Sequence, residues 1–233
     1  MKKLNVIAAM LIMACTQSVF AAESGGIAVG ATRVIYNAAS REASLSVINR
    51  SGAQYFLIQS WVDDASGSKN VPFTVTPPLF RLNANKENML RIIKKSDKEL
   101  PGDKESVYWV NVKAIPPAPA AGDGQNVLQM AIKTRVKLFY RPAGLAGNVS
   151  DSPGKLQWSQ QGNDLVVKNP TAYSVSFNNL SVNGKDIKDA NLVLPQSEMH
   201  YKIPEGAGHA STVKYKCIND FGGLTQSIDM AVK

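Results

Sequence analysis

Few side chains in this sequence could do chemistry, and most of those are cations set into strand-like runs. The two histidines, His200 and His209, lie in the second half, apart from any serine–acid arrangement that would make a nucleophile. No GxSxG, HExxH, CxxC, P-loop or GxGxxG spacing occurs, so hydrolysis, metal binding and nucleotide binding have no residues to carry them. The expectation is a protein that is not an enzyme and uses no cofactor and no metal. What stands out instead is Arg33, between Thr32 and the apolar pair Val34-Ile35, and Lys137, inside the run 126–142 (NVLQMAIKTRVKLFYRP). A lone charge on a strand ordinarily projects to solvent, so neither residue taken singly marks a site.

The element that must position Lys137 is unusual. Residues 126–141 read as one long strand, with Leu128, Met130, Ile132, Val136, Leu138 and Tyr140 on one side and Thr134 the only break. Gln129, Lys133, Arg135, Lys137 and Arg141 take the other side. Such a strand exceeds the usual length of about five or six residues, and it follows a turn-rich stretch, IPPAPAAGDGQ (115–125). Long, apolar and uncapped, it suggests a strand made to pair with another chain. Lys137 has the opposite parity to Leu128, Met130 and Ile132. Either a bulge or strong twist separates them, or the two sets lie on different faces.

Of the 233 residues, the first 21 read as a removable secretory leader: Lys2 and Lys3, the apolar run 4–14, a polar patch at 15–18, then Val19-Phe20-Ala21. Cleavage is expected after Ala21 or Ala22. Ile12-Met13-Ala14-Cys15 loosely resembles a lipoprotein processing site, which Met13 fits poorly. The apolar run falls short of the about 20 residues a bilayer span needs, and no later segment is long and apolar enough, so an exported chain without stable membrane insertion is expected. Loss of Lys2 and Lys3 lowers the formal charge from +8 to +6. That excess is spread out, without the aromatic-interleaved basic stripe of a nucleic-acid binder, and suits solubility plus local anion contacts. Once Cys15 leaves, Cys217 stands alone and no internal disulfide can form. Alternating with Val213 and Tyr215, it reads as a small buried apolar residue rather than a reactive thiol.

Helical periodicity is nearly absent from the mature chain, and short alternating runs between turn residues predict strands near 27–36, 43–49, 54–63, 73–75, 89–94, 107–114 and 126–141. Those seven make one immunoglobulin-like sandwich. After Arg141 the runs shorten, to 156–160, 164–168, 174–182, 197–203, 212–218 and 225–232, with Asn183-Gly184 a hairpin turn. The reading is an all-β chain of two immunoglobulin-like β-sandwich domains, 22–142 and 143–233.

Several motifs in order carry a resemblance: GATRVIYNA (30–38), LIQSWV (57–62), FTVTPPLFRL (73–82), KENMLRI (86–92), ESVYWVNVKAIPP (105–117), NVLQMAIKTRVKLFYRP, NPTAYSV (169–175) and INDFGG (218–223). They resemble the periplasmic chaperones of pilus assembly in the chaperone–usher pathway, the PapD-like family, densely in the first half and more patchily in the second. The resemblance implies two domains in a boomerang arrangement. It also implies pilus subunits and the outer-membrane usher as partners, and leaves room for self-association of the free protein. It implies that Arg33 and Lys137 bind the C-terminal carboxylate of a subunit, and that Leu128, Met130 and Ile132 form a donor strand filling the subunit's groove. Glu105, Arg141 and Asp220 match the family's interdomain charge cluster. Leu57, Gln59 and Pro78, with Thr76-Pro77, match the face shown to the usher, although Leu57 alone reads equally as core. The short 115–126 loop, with no cysteine pair around the strand, resembles the short-loop branch and so implies rod-like pili. Two rivals remain from the residues: a secreted immunoglobulin-like binding module and a pilus structural subunit.

Overall fold

The computed structural model describes residues 25–95, 99–118 and 128–233. The expected leader and Asn126-Val127 lie outside the described residues. In the first half the strands are β1 (Ile27–Val29), β2 (Arg33–Asn37), β3 (Ala43–Asn49), β4 (Phe56–Asp63), β5 (Phe73–Thr76), β6 (Leu79–Leu82), β7 (Glu87–Lys94), β8 (Ser106–Ile115) and β9 (Ile132–Arg141). One sheet runs β1-β3-β7-β5 and the other β2-β9-β8-β4-β6. Their facing side chains close on a core that includes Val34, Tyr36, Leu45, Val47, Ile58, Leu90, Ile92, Val110 and Leu138. Burial of such a run of large apolar side chains is the main source of stability, since the described cysteine is a free thiol.

The second half contributes β10 (Gln157–Gln161), β11 (Asp164–Asn169), β12 (Val175–Val182), β13 (Lys185–Asp186), β14 (Leu192–Val193), β15 (Ser197–Lys202), β16 (Thr212–Cys217) and β17 (Ile228–Ala231), preceded by a 3-10 segment, Val149–Lys155. Sheet β10-β11-β15 faces sheet β13-β12-β16-β17 across a separate core built on Trp158, Leu165, Phe177, Leu180 and Tyr215. Asn183 and Gly184 both take positive φ, as the expected tight hairpin requires, and Ser181 pairs with Asp186 across them.

Two expected elements differ. The run 27–36 is not one strand: β1 pairs antiparallel with β3, whereas β2 pairs parallel with β9 in the opposite sheet. The crossing falls at 30–32, where Gly30 N–H still donates to Ser46 O. Side-chain parity carries the reason. Ile27 and Val29 pack inward from odd positions while Val34 and Tyr36 do so from even ones, so an irregularity must separate them. The run 126–141 is also shorter as a strand than expected, beginning at Ile132. Its partner β8 ends at Ile115, opposite the start of β9, and Pro116 and Pro117 have no N–H to continue the ladder. The Gln129 amide instead donates to the carbonyls of both prolines. Strands β6, β13 and β14 were not anticipated. β6 was hidden by Pro77 and Pro78 immediately before it, and the other two are only two residues long.

Leu138 is fully buried and Ile132 is exposed, although both belong to β9 and share parity. Leu138→Ala is expected to destabilise the free protein by about 2–5 kcal/mol in urea unfolding. Ile132→Ala is expected to change it by less than about 0.5 kcal/mol.

Candidate functional site

Register makes the site. Parallel pairing of β2 with β9 sets Arg33 directly opposite Lys137, with Asn37 opposite Arg141 at the far end. Arg33 is only 8% exposed; its Nη1 donates to Ile218 O at 2.8 Å, and its guanidinium lies 5.6 Å from the centre of the buried Phe139 ring. Lys137 is half-buried and donates through Nζ to Asn191 Oδ1. Ile218 and Asn191 belong to the second half, so both cations are held at the seam between the two sandwiches. Burial lowers the pKa of each: for Arg33 against the opposing pull of Asp220 and Cys217, and for Lys137 with the Arg33 charge adding to the effect. Two neighbouring cations, both penalised by desolvation, gain from an anion that accepts hydrogen bonds from them.

The parity question has an answer in the ladder. Pairing between β8 and β9 runs from Ala114 opposite Ile132 to Ser106 opposite Tyr140 without a register shift. No bulge therefore lies between Ile132 and Lys137, and the two point to opposite faces. Leu128, Met130 and Ile132 are 85%, 66% and 66% exposed. Only Ile132 is in the strand; the other two precede it. Because β2 pairs with β9 only from Lys137 onward, residues 132–136 have a strand neighbour on one side alone among the described residues.

Glu105, Arg141 and Asp220 meet at the same seam. Arg141 Nε donates to Glu105 Oε1 at 2.6 Å, while its Nη1 and Nη2 donate to the Asp220 carboxylate at 2.6 and 3.0 Å. Glu105 Oε2 accepts from Ser174 N–H at 2.8 Å, and Glu105 N–H donates to Ala172 O. Burial, the strongest influence on Glu105, pushes its carboxyl above the ordinary range despite Ser174 and Arg141. Burial disfavours the charge of Arg141, but its two carboxylate partners together outweigh it and hold the side chain charged more firmly than a free arginine. The loop after β16 closes tightly on the first half: Gly222 has φ +83, and a Cβ there would stand 2.5 Å from Thr32 Oγ1.

The other expected residues lie elsewhere. Leu57, Gln59 and Pro78 sit on the outer face of the β4–β6 corner, near the cis Thr76–Pro77 bond; Leu57 is 40% exposed and Ile58 is the core residue of that strand. Across β6, Gln59 pairs with the exposed Leu79. Cys217 is buried, its thiol pushed up to about 12 by burial although Arg33 pulls the other way, so it is a poor nucleophile. His200 lies 3.6 Å from Glu198 and His209 contacts a backbone carbonyl, and no group of potential metal ligands occurs among the described residues. Phe139, Asn191, Ser174 and the Ile218 carbonyl escaped the sequence reading. Phe139 shares the parity of Lys137, the one signal that could have pointed to it.

Two family descriptions match this chain. Residues 26–146 match the description "Pili and flagellar-assembly chaperone, PapD N-terminal domain", and residues 151–228 match "Pili assembly chaperone PapD, C-terminal domain". The chain belongs to the pilus-assembly chaperones. It is 48% identical over 228 residues to the probable fimbrial chaperone LpfB of Escherichia coli O157:H7, covering 98% of this chain and 97% of that one. It is 41% identical to FimC of Escherichia coli K12, covering 92% and 88%. Among solved structures it resembles the Salmonella enterica SafB chaperone in complex with SafA pilin, with TM-score 0.80, 36% identity, and 88% and 96% of the two chains covered. The family acts in the chaperone–usher pathway and is not enzymatic, as the missing motifs led one to expect. The all-β architecture of two immunoglobulin-like domains is likewise that of the family. Among the described residues of this chaperone no helix is long and apolar enough to cross a membrane.

Arg141→Ala leaves Glu105 and Asp220 without their shared cation. Small-angle scattering is expected to show a broadened spread of domain orientations, with the melting temperature lowered by several degrees. Glu105 already binds its proton more readily folded than unfolded, so protonation favours the folded state. The loss in this variant is therefore expected to shrink as pH falls from 7 toward about 5.

Proposed function

We propose that this chaperone captures pilus subunits in the periplasm through two joined contacts and hands them to the outer-membrane usher. Arg33 and Lys137 bind the C-terminal carboxylate of the subunit. The segment from Leu128 into β9 lends a strand to it, with Leu128, Met130 and Ile132 filling the groove left by the subunit's missing strand. One observation carries the reading: the pair of buried Arg33 and half-buried Lys137 stands where the β2 pairing ends, at the head of an open β9 edge that leads into exposed apolar side chains. Strand addition supplies main-chain hydrogen bonds for affinity and alternate side chains for specificity. Each charge-assisted bond to the carboxylate contributes about 1.5–3 kcal/mol. Each apolar side chain buried contributes up to about 1.5–3 kcal/mol before the cost of ordering the segment.

The matched SafB structure, which holds a pilin, supports a subunit as the partner class. Release is by exchange, as the extension of a neighbouring subunit replaces the lent strand with a better fit, and no nucleotide is consumed. In this reading residues 1–21 are removed on export, 22–142 and 143–233 act as the two domains, and the Glu105–Arg141–Asp220 cluster fixes the angle between them. Leu57, Gln59 and Pro78 form the face offered to the usher, and the fibres built are rod-like pili.

Periplasmic co-expression with the pilus subunits encoded nearby, followed by pull-down, tests the capture step. Wild type is expected to recover soluble subunit, with Arg33→Ala and Lys137→Ala losing more than about 90% of it, a loss of ~1.4 kcal/mol or more per site. Equal recovery by all three would remove the carboxylate assignment. The usher face is tested separately. Leu57→Asp is expected to leave subunit recovery unchanged while surface pili, counted by electron microscopy, disappear; normal piliation would place usher contact elsewhere.

A further inference from the structure

Phe221 is 98% exposed, whereas every other described phenylalanine is buried or half-buried. Leu224, on the same loop, is 55% exposed. Apolar side chains scattered singly over a surface are ordinary. This pair is set apart by how firmly the backbone holds it. Asn219 Oδ1 accepts from the N–H groups of Phe221 at 3.0 Å and Gly223 at 2.9 Å, and Asn219 O accepts from Gly222 N–H at 3.0 Å. Asn219 N–H donates to Gly223 O, and a bridge between Ile218 and Leu224 closes the loop. On either side of Phe221, Asp220 is gripped by Arg141 and Gly222 lies against Thr32. A ring that projects into water from so constrained a backbone has only its two side-chain torsions left to lose, so an apolar partner meets it at little entropic cost.

The loop's position points to the partner. Ile218 O accepts from Arg33, and Phe221 and Arg33 line the same seam. In the subunit-capture reading, on which this inference rests, a subunit pairs with the β9 edge at 132–136 and ends at Arg33 and Lys137. A folded domain of about a hundred residues has a radius of gyration of about 13 Å, so a body held along that edge overhangs the seam toward the second half. We propose that Phe221, flanked by Leu224, is an apolar anchor through which the second half grips the body of the subunit, seated in a depression lined by aliphatic or aromatic side chains. The contact is with the folded domain and takes no part in holding the C-terminal carboxylate. Burial of a ring of this size is worth roughly ten- to a hundredfold in affinity. An anchor that seats after the first encounter acts on the rate of dissociation. Subunits with a polar surface at that place are held less long, which makes Phe221 a determinant of which subunits the chaperone retains.

Subunit exchange tests this. The complex of the mature chaperone with a subunit encoded nearby is mixed with excess fluorescently labelled wild-type chaperone, and transfer of the subunit to the labelled protein is followed. Phe221→Ser is expected to release the subunit at least about tenfold faster than wild type, and Phe221→Leu within about twofold of it. Because the side chain is exposed, both variants should keep the wild-type melting temperature. A synthetic peptide of the subunit's C-terminal strand, which lacks the body, should bind wild type and Phe221→Ser equally. Unchanged release by Phe221→Ser overturns the proposal. It does so equally where that variant instead lowers piliation, which would mean an usher contact, or abolishes self-association, which would mean a second copy. Peptide binding weakened in step with that of the whole subunit also overturns it, because the ring would then belong to the C-terminal site. If wild type forms no complex with any subunit, the capture reading falls and this inference falls with it. A wild-type complex whose release Phe221→Ser does not alter removes this inference alone.

Discussion

The parallel pairing of β2 with β9 is the constraint on which the rest of the molecule depends. It requires the chain to leave the first sheet at 30–32 and enter the second at Arg33. That single crossing sets Arg33 opposite Lys137 and ends the cover on β9 at that residue. A β1–β2 strand kept whole in either sheet would lose one of these results. The cation pair would fall apart, or the open edge would be covered. The local cost is a stretch of backbone that belongs to neither sheet, held by one hydrogen bond from Gly30 to Ser46 and by the Thr32–Gly222 contact with the second half.

Charge at the seam is arranged in two tiers with different consequences. Arg141 is fully neutralised: its fork meets two carboxylates, one of which is also fixed by the Ser174 N–H. Its bonds tie Glu105 and Arg141 of the first half to Asp220 of the second. Arg33 and Lys137 are left short of anions, with a carbonyl and an amide oxygen as partners. Desolvation without full pairing lowers the pKa of both, and that unmet demand is what a carboxylate would answer in the proposed function. Neighbouring cations at one seam are thus treated in opposite ways.

On β9 the same division appears along one strand. From Val136 onward its even positions are core, while Ile132 on the same side is exposed. The change falls between Val136 and Ile132, just before the point where β2 begins to pair at Lys137. Position along the strand, and not residue type, separates the buried side chains from the exposed ones.

Alternation along 43–49, 106–115 and 212–217 and the Asn183-Gly184 turn made most strands and the all-β class readable from sequence, because period-2 burial and tight-turn chemistry are local. Arg33 and Lys137 could be picked out by their motif contexts, and Cys217 by its alternation with Val213 and Tyr215. The break at 30–32 left a trace in the parity switch between Val29 and Val34. The start of β9 at Ile132, the pairing of residues 104 positions apart in register, and the partners Ile218 and Asn191 left none. Sheet choice, strand ends and cross-domain contacts are set by which backbone groups find partners after collapse, a non-local matter that no window of sequence encodes. The sequence by itself determined what each strand could bury; only the tertiary structure decided which edge stayed open and which cations met.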